Sequence, residues 1–217
     1  MAAVRLRDFL LNVGRVAFAA TAVVAMTYQL ASSSDRPGFD AGNFFSFFTI
    51  QSNILAAALL ALTAIVHRRE RTPLFDALRG AVTLYIAITG VVFALLLSGL
   101  QESLQTPVPW VDFIVHKLIP IVVVADWLID PPRHRLSLGM GALWLCFPAA
   151  WLVYTLVRGA SVDWYPYPFV DVSKLGYDGV LLRSAVLLLA FAAAAVSFVV
   201  IGNRRAAARP REHLAEW

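Results

Sequence analysis

The sequence predicts an all-α membrane protein, a six-transmembrane-helix bundle with both termini in the cytoplasm. Three observations lead to this fold class: a strongly apolar composition, six apolar runs of membrane-spanning length, and basic residues concentrated on one side. Of the 217 residues, 59% are hydrophobic and 15% are charged, whereas soluble domains average about 45–50% apolar and 25% charged residues. Lipid is therefore the expected solvent.

Six apolar runs each approach the roughly 20 residues that a helix needs to cross about 30 Å of hydrocarbon. The predicted spans cover residues 16–31, 44–66, 80–100, 111–129, 138–157 and 179–201. They form one transmembrane domain over residues 1–201, followed by a basic cytoplasmic tail over residues 202–217 that we expect to contact anionic lipid headgroups. The first run has small residues at a possible signal-peptide cleavage site, Ala31 and Ser33, but its length and the spans that follow favour an uncleaved helix.

Lys and Arg residues set the predicted orientation. With six alternating spans, 13 of the 18 basic residues fall on the side of the two termini and 3 fall on the opposite side. Such a bias places the basic side in the cytoplasm, so we expect a multi-pass protein of the cell membrane, with the bacterial cytoplasmic membrane favoured. Nucleic acid is not an expected partner, because the basic residues lie between apolar spans and not on one aromatic-rich face.

The longest predicted outer loop, residues 158–178, is rich in aromatic residues separated by prolines. Trp164 and Tyr167 are typical of an aromatic belt at the membrane interface. A proline-stiffened loop over a cavity is equally a common place for a lid or a substrate entrance. Both interpretations stay open, and they are compatible with each other.

Ionisable residues inside the predicted spans are functional candidates, because each costs at least about 2.5–3.5 kcal/mol to insert into hydrocarbon. In and around the fourth and sixth spans they are Asp112, His116, Lys117, Asp126 and Arg183. The second span adds a neutral polar cluster, consisting of Thr49, Gln51, Ser52 and Asn53. These few residues define the region in which the sequence places a site.

Thr49 and His116 lie at matching depth. Each is five residues inside its span from the outer side, or roughly 7–8 Å at a rise of about 1.5 Å per residue. Ser46 and Asn53 share the helix face of Thr49, and Asp112 lies one turn before His116. A hydroxyl, an imidazole and a carboxylate in one layer are the groups of a nucleophile, a general base and an orienting residue.

Structural interpretations of the same residues also stay open. A threonine in a transmembrane helix often bonds its own backbone, and a single histidine often serves as a hydrogen bond between helices. No metal site is expected, because the other histidines, His67, His134 and His213, fall in cytoplasmic segments and Cys146 is the only cysteine. The sequence indicates no cofactor, since neither a phosphate-binding glycine loop nor a haem ligand pattern is present.

Several short segments resemble a known family. The segment Phe45–Asn53, His116 followed by Pro120, the pair Asp126-Trp127, and Tyr167-Pro168-Phe169 before the last span occur in order along most of the chain. In this they resemble the bacterial branch of the androgen-induced/androgen-dependent family of six-helix membrane threonine hydrolases. The resemblance implies hydrolysis of lipid esters such as fatty acid esters of hydroxy fatty acids.

The resemblance implies that Thr49 is the nucleophile and His116 the base of an intramembrane lipid-ester hydrolase, whose partners are membrane lipids and a lipid-like ester. In this hypothesis Asn53 or Ser46 stabilises the oxyanion and Asp112 supports the histidine.

Arg183 is a candidate to hold a substrate carboxylate, and Trp164 and Tyr167 belong to the loop that caps the site. The main alternative is a non-enzymatic transporter or lipid-binding protein with a polar site at His116, Asp112 and Arg183. A structural or partner-binding membrane protein is the third hypothesis.

Overall fold

The computed structural model describes residues 2–100 and 108–208, with side chains from residue 6 onward. The α-helices of these ranges are α1 (Ala2–Ser34), α2 (Ala41–Ser46), α3 (Phe48–Ile65), α4 (Pro73–Val92), α5 (Pro109–Phe113), α6 (Ile119–Ile129), α7 (Leu138–Leu143), α8 (Cys146–Val162) and α9 (Val172–Ala207). Two π-helical turns extend or join them, Phe93–Leu97 after α4 and Ile114–Leu118 between α5 and α6. No strand occurs within the described ranges, so the prediction of an all-α fold is confirmed there.

Five helical segments are long and apolar enough to cross a membrane. They are Leu6–Ser34, Phe48–Ile65, Pro73–Leu97, Leu138–Val162 and Val172–Ala207. This length and composition are typical of a membrane-embedded protein. The predicted fourth span, which the structure shows as Pro109–Ile129, contains four ionisable residues, Asp112, His116, Lys117 and Asp126, and it packs against α1, α3 and α4.

Several helices begin or end outside the predicted spans. The helix of the third predicted span, α4, begins at Pro73 and not near residue 80. Thr72 caps it by accepting the N–H of Phe75 at 3.1 Å, and a proline is favourable in the first helical turn. The predicted outer loop is shorter, since α8 continues to Val162 and α9 starts at Val172, although the α9 backbone breaks at Gly176 (φ 66°, ψ 168°). The tail beyond residue 208 and the connection 101–107 lie outside the described residues.

A buried group of ion pairs joins the helices near the end of α6. We call it the arginine–aspartate cluster, and its members are Arg15, Arg68, Arg71, Arg79, Asp126 and Asp130. Asp126 receives Arg15 at 2.7 Å on one oxygen and Arg79 at 2.8 Å on the other. The Asp126 carboxylate therefore links α1 and α4 to α6.

Asp130 is the second centre of the arginine–aspartate cluster. Its carboxylate lies 2.6 Å from Arg15, 2.8 Å from Arg71 and 3.1 Å from Arg68. Burial alone would raise the pKa of Asp130. The positive charges of Arg79 and Arg71 and the hydrogen bonds from Arg71 and Arg15 have a larger effect in the opposite direction. The pKa of Asp130 therefore lies below its usual range. The carboxylate holds α1 and the α3–α4 connection against the end of α6.

Asp130→Asn should destabilise the bundle strongly at neutral pH, because buried arginines lose their counter-charge. Breaking a buried ion pair from one side costs about 3–5 kcal/mol, so the thermal unfolding midpoint of the detergent-solubilised protein should fall clearly. Asp8→Asn, an exposed carboxylate on α1, is the matched control and should leave the midpoint unchanged.

The same comparison has a defined pH dependence. A carboxylate with a lowered folded-state pKa contributes its full stability above the unfolded-state pKa of about 3.9. The difference between wild type and Asp130→Asn should therefore narrow as the pH falls below about 4. A difference that is absent at pH 7, or that grows in acid, contradicts the assigned role of Asp130.

Candidate active site

The second predicted span is interrupted at Phe47. This residue has an extended backbone (φ −65°, ψ 128°), so α2 ends at Ser46 and α3 starts at Phe48. Thr49 is thus the second residue of a new helix, where backbone N–H groups have no acceptor within the helix. The interruption places a helix N-terminus, with its partial positive charge, beside the Thr49 side chain.

Side chains from three places satisfy the backbone groups that this interruption frees. The Tyr167 hydroxyl accepts the N–H of Thr49 at 3.1 Å. On the other side of the interruption, the Gln51 amide donates to the carbonyl of Phe45 at 2.9 Å, and the indole of Trp151 donates to the carbonyl of Ser46 at 2.9 Å. An irregular backbone in an apolar segment is tolerated only where protein groups satisfy it in this way.

The Thr49 hydroxyl differs from those of four other threonines in the long helices. Thr21, Thr63, Thr83 and Thr89 each donate to the carbonyl four residues earlier. For Thr49 that carbonyl belongs to Phe45, lies across the interruption and is taken by Gln51. The Thr49 hydroxyl instead pairs with the hydroxyl of Tyr167 at 3.2 Å, so it is not held by its own helix.

Tyr167 reaches Thr49 from the connection between α8 and α9. Its side chain is buried, and the rings of Phe47, Trp151 and Phe169 pack around it with centroids 5.1–5.8 Å away. Burial raises the pKa of Tyr167 to about 12, although its hydrogen bonds with Thr49 act in the opposite direction. The phenol therefore remains protonated at physiological pH.

His116 lies in the wide π-helical turn Ile114–Leu118. Pro120 explains the turn, because a proline cannot donate to the carbonyl four residues earlier, and the bond that forms runs from Ile119 back to Ile114. Single π-helical turns inside α-helices are frequent at functional sites. Here the turn directs the His116 ring inward, toward α4.

Two contacts fix the orientation of the His116 ring. Its Nδ1 atom lies 3.0 Å from a carboxylate oxygen of Asp112, one turn earlier. The ring of Phe93 stacks on it with centroids 3.9 Å apart and planes 9° from parallel. Among the residues that the structure describes, no hydrogen bond reaches Nε2, so this nitrogen is the one available for proton transfer.

Asn53 connects the two halves of the candidate site. Its amide nitrogen donates to the carbonyl of Thr49 at 2.9 Å and to that of Val115 at 3.1 Å. The bridge holds the backbone of Thr49 near the residue that precedes His116. Because both protons of this amide are used, Asn53 does not serve as an oxyanion donor in this arrangement.

A cavity of about 380 Å³ begins at Thr49. Side chains of α3, α4, α8, α9 and the connection at Tyr167 line it, and nearly all of them are apolar. Its hydroxyl-bearing residues are Thr49, Thr89, Tyr167 and Ser184. Val153 on α8 and Leu181 and Leu188 on α9 line the cavity and are also exposed on the outer surface, so the cavity reaches that surface between the two helices.

Among the described residues, none of those that the sequence analysis grouped with Thr49 is hydrogen-bonded to its hydroxyl. His116 is not among the residues that line the cavity, and within the described part of the chain its imidazole is not hydrogen-bonded to Thr49. Ser46 turns away, since its hydroxyl bonds the carbonyl of Gly42 and the hydroxyl of Tyr154. Neither Asn53 nor Ser46 therefore offers an oxyanion donor at Thr49.

The remaining predicted residues lie at the periphery. Arg183 is exposed, its guanidinium lies 3.4 Å from the carbonyl of Gly179, and it does not line the cavity. Trp164 is half-buried, packs on Phe47, and carries the guanidinium of Arg158 over its ring at 5.6 Å. Trp164 thus covers the interruption at Phe47 without contacting Thr49 in the described contacts.

Sequence reasoning missed the two features that define Thr49, the interruption at Phe47 and the direct contact of Tyr167. No proline or glycine marks the interruption. The hydroxyl partners Thr49 and Tyr167 are 118 residues apart, and nothing local in the sequence pairs them.

Comparisons of the chain with known protein families, with functionally described proteins and with solved structures give no significant match.

Replacing Asn53 should loosen the candidate site. Asn53→Ala removes two hydrogen bonds and leaves the buried carbonyl of Val115 without its partner, which costs about 1–3 kcal/mol. Ser161→Ala is the control, because it removes an exposed hydroxyl of α8 that bonds only a carbonyl of its own helix. Thermal unfolding in detergent should show a lower midpoint for Asn53→Ala than for Ser161→Ala. Equal midpoints would contradict the bridging role.

Proposed function

We propose that this chain is an intramembrane lipid-ester hydrolase, a distant relative of the androgen-induced/androgen-dependent family, with Thr49 as nucleophile and His116 as general base. One observation carries the proposal. The Thr49 hydroxyl is free of its own helix, lies at the N-terminus of α3, and forms part of the wall of an apolar cavity. A nucleophile at a helix N-terminus benefits from the positive end of the helix dipole when its oxygen becomes negative.

The proposed arrangement in the membrane has six spans, with Pro109–Ile129 as the fourth and both termini in the cytoplasm. The polarity of this span is compatible with its position inside the bundle, since Asp126 pairs with Arg15 and Arg79, and Asp112 pairs with His116. In this orientation the arginine–aspartate cluster lies on the cytoplasmic side, and Thr49 lies toward the outer leaflet.

The acylation step begins when Thr49 Oγ1 attacks the ester carbonyl carbon and its proton passes to His116 Nε2. The proton travels directly or through one water molecule, since the two side chains are not bonded to each other. The tetrahedral intermediate then expels the alcohol oxygen, which takes the proton from His116. The products of this half-reaction are an acyl-threonine and a free alcohol.

Water completes the reaction. His116 takes a proton from the water molecule while the water oxygen attacks the acyl carbon. Collapse of the second tetrahedral intermediate then returns this proton from His116 to Thr49 Oγ1. The net change is ester plus water to carboxylic acid plus alcohol. Asp112 holds Nδ1 at 3.0 Å, which orients Nε2 as the reactive nitrogen and stabilises the imidazolium.

The shape of the cavity supports a lipid substrate. Its apolar lining accepts an acyl chain, and its exposed wall between α8 and α9 allows the chain to enter sideways from the bilayer. The transporter alternative requires Arg183 beside His116 and Asp112, but Arg183 is exposed outside the cavity. A lipid-binding protein without catalysis shares the cavity, and activity measurements separate the two.

Thr49→Ala should reduce hydrolysis of long-chain fatty acyl esters to background, because it removes the hydroxyl on which the proposed acyl-enzyme forms. His116→Ala should lower kcat by about 10²–10⁴, the usual contribution of a general base. The matched controls are Thr63→Ala, a buried threonine deeper in α3, and His67→Ala, an exposed histidine after α3. Both should retain wild-type rates in a fatty-acid release assay with purified protein.

Two outcomes of that assay would contradict the proposal. Hydrolysis that persists in Thr49→Ala excludes the nucleophile, and wild-type protein that binds lipid esters in detergent or nanodiscs without cleaving any of them supports a binding protein instead.

Val153→Trp should block the side entrance of the cavity. The larger ring at the rim obstructs long acyl chains, so KM for long-chain esters should rise at least several-fold while short-chain esters are affected little. Val157→Trp is the matched control, since Val157 is equally exposed one turn further along α8 and does not line the cavity. If KM for long-chain esters rose equally in both variants, the entrance would not lie at Val153.

A further inference from the structure

We propose that the phenolic O–H of Tyr167 is a catalytic hydrogen-bond donor, which stabilises the oxyanion formed when Thr49 attacks its substrate. This inference rests on the proposed function and assigns the group that the sequence analysis sought in Asn53 and Ser46. Both of those side chains are committed elsewhere. Tyr167, in contrast, places its hydroxyl 3.2 Å from Thr49 Oγ1, the proposed nucleophile.

The hydrogen-bond pattern around Tyr167 indicates the direction of its proton. Its oxygen accepts the N–H of Thr49 at 3.1 Å and lies 3.2 Å from Thr49 Oγ1. Because the oxygen already accepts this amide proton, the phenol can donate its own proton toward Thr49 Oγ1, which leaves the Thr49 proton available to the base.

The change between ground state and intermediate is a short rotation of one O–H bond. When Oγ1 bonds the carbonyl carbon, the negative charge moves to the neighbouring carbonyl oxygen, and the Tyr167 proton turns from Oγ1 to that oxygen. No covalent bond of Tyr167 breaks, and the proton stays on the phenol throughout. An interaction that forms only as the charge develops lowers the barrier without tightening substrate binding.

The surroundings of Tyr167 strengthen this hydrogen bond. The rings of Phe47, Trp151 and Phe169 exclude water from the phenol, and a hydrogen bond to a charged oxygen is stronger in such a low-dielectric environment. Burial raises the pKa of Tyr167 to about 12. The phenol therefore stays protonated and able to donate at physiological pH.

Tyr167→Phe tests the role of the hydroxyl. Removal of one oxyanion donor typically costs about 10²–10³ in kcat, so kcat should fall by about that factor while KM changes little. Tyr154→Phe is the matched control, because its hydroxyl bonds Ser46 on the other side of the interruption and is not at Thr49. It should retain a kcat within a few-fold of wild type.

The affinity for a long-chain trifluoromethyl ketone separates a catalytic from a structural role. This ketone forms a tetrahedral adduct with Thr49 that carries an oxyanion. Its affinity should fall in Tyr167→Phe by about the same factor as kcat/KM. An unchanged affinity, or an unchanged kcat in a folded variant, overturns the inference.

A fluorinated tyrosine at position 167 keeps the test decisive even if Tyr167→Phe does not fold. Fluorine substituents lower the pKa of the phenol, and the phenolate still accepts the Thr49 N–H while it can no longer donate. Activity should therefore disappear as the pH rises through the lowered pKa, whereas the wild type remains active there. Equal pH profiles for the two proteins contradict a donor role.

Failure of the inference is distinguishable from failure of the proposed function. Wild-type protein that hydrolyses esters through Thr49, with Tyr167→Phe equally active, refutes only the role of Tyr167. Wild-type protein without any hydrolysis refutes the proposed function and the role of Tyr167 together.

Discussion

The site depends on one constraint, that backbone groups freed inside an apolar segment must be satisfied by the protein. The interruption at Phe47 frees such groups on both of its sides, and Tyr167, Gln51 and Trp151 satisfy them. These bonds fix the start of α3 to the connection before α9, and the end of α2 to α8. They also detach the Thr49 hydroxyl from its helix, which is the condition for a reactive role.

Buried ion pairs join the helices at the opposite end of the bundle. The carboxylates of Asp126 and Asp130 join α1, α4 and the α3–α4 connection to α6, so α5 and α6 have a fixed position relative to α3. Asn53 continues this connection at the level of Thr49 by bonding the backbone of Val115. A rigid frame of this kind positions a nucleophile and a base more precisely than loops do.

The helical class of the protein follows from composition and apolar run length, and both are visible in the sequence. The pairing of Asp112 with His116 is equally local, since four residues separate them on one helix face. Tyr167, Trp151 and Gln51 could be assigned only from the structure, because their roles arise from an interruption that no proline or glycine announces. The depth argument placed Thr49 and His116 in one layer, but depth does not specify the direction of a side chain.

The most direct test of the central claim is mass spectrometry of the protein during turnover. A reaction with a long-chain acyl ester, quenched in acid and digested, should yield a peptide with the acyl group attached to Thr49. The His116→Ala variant should accumulate less of it, because attack by Thr49 is slower. Ester hydrolysis that proceeds with no acyl group on Thr49, or with an acyl group on another residue, would contradict the account.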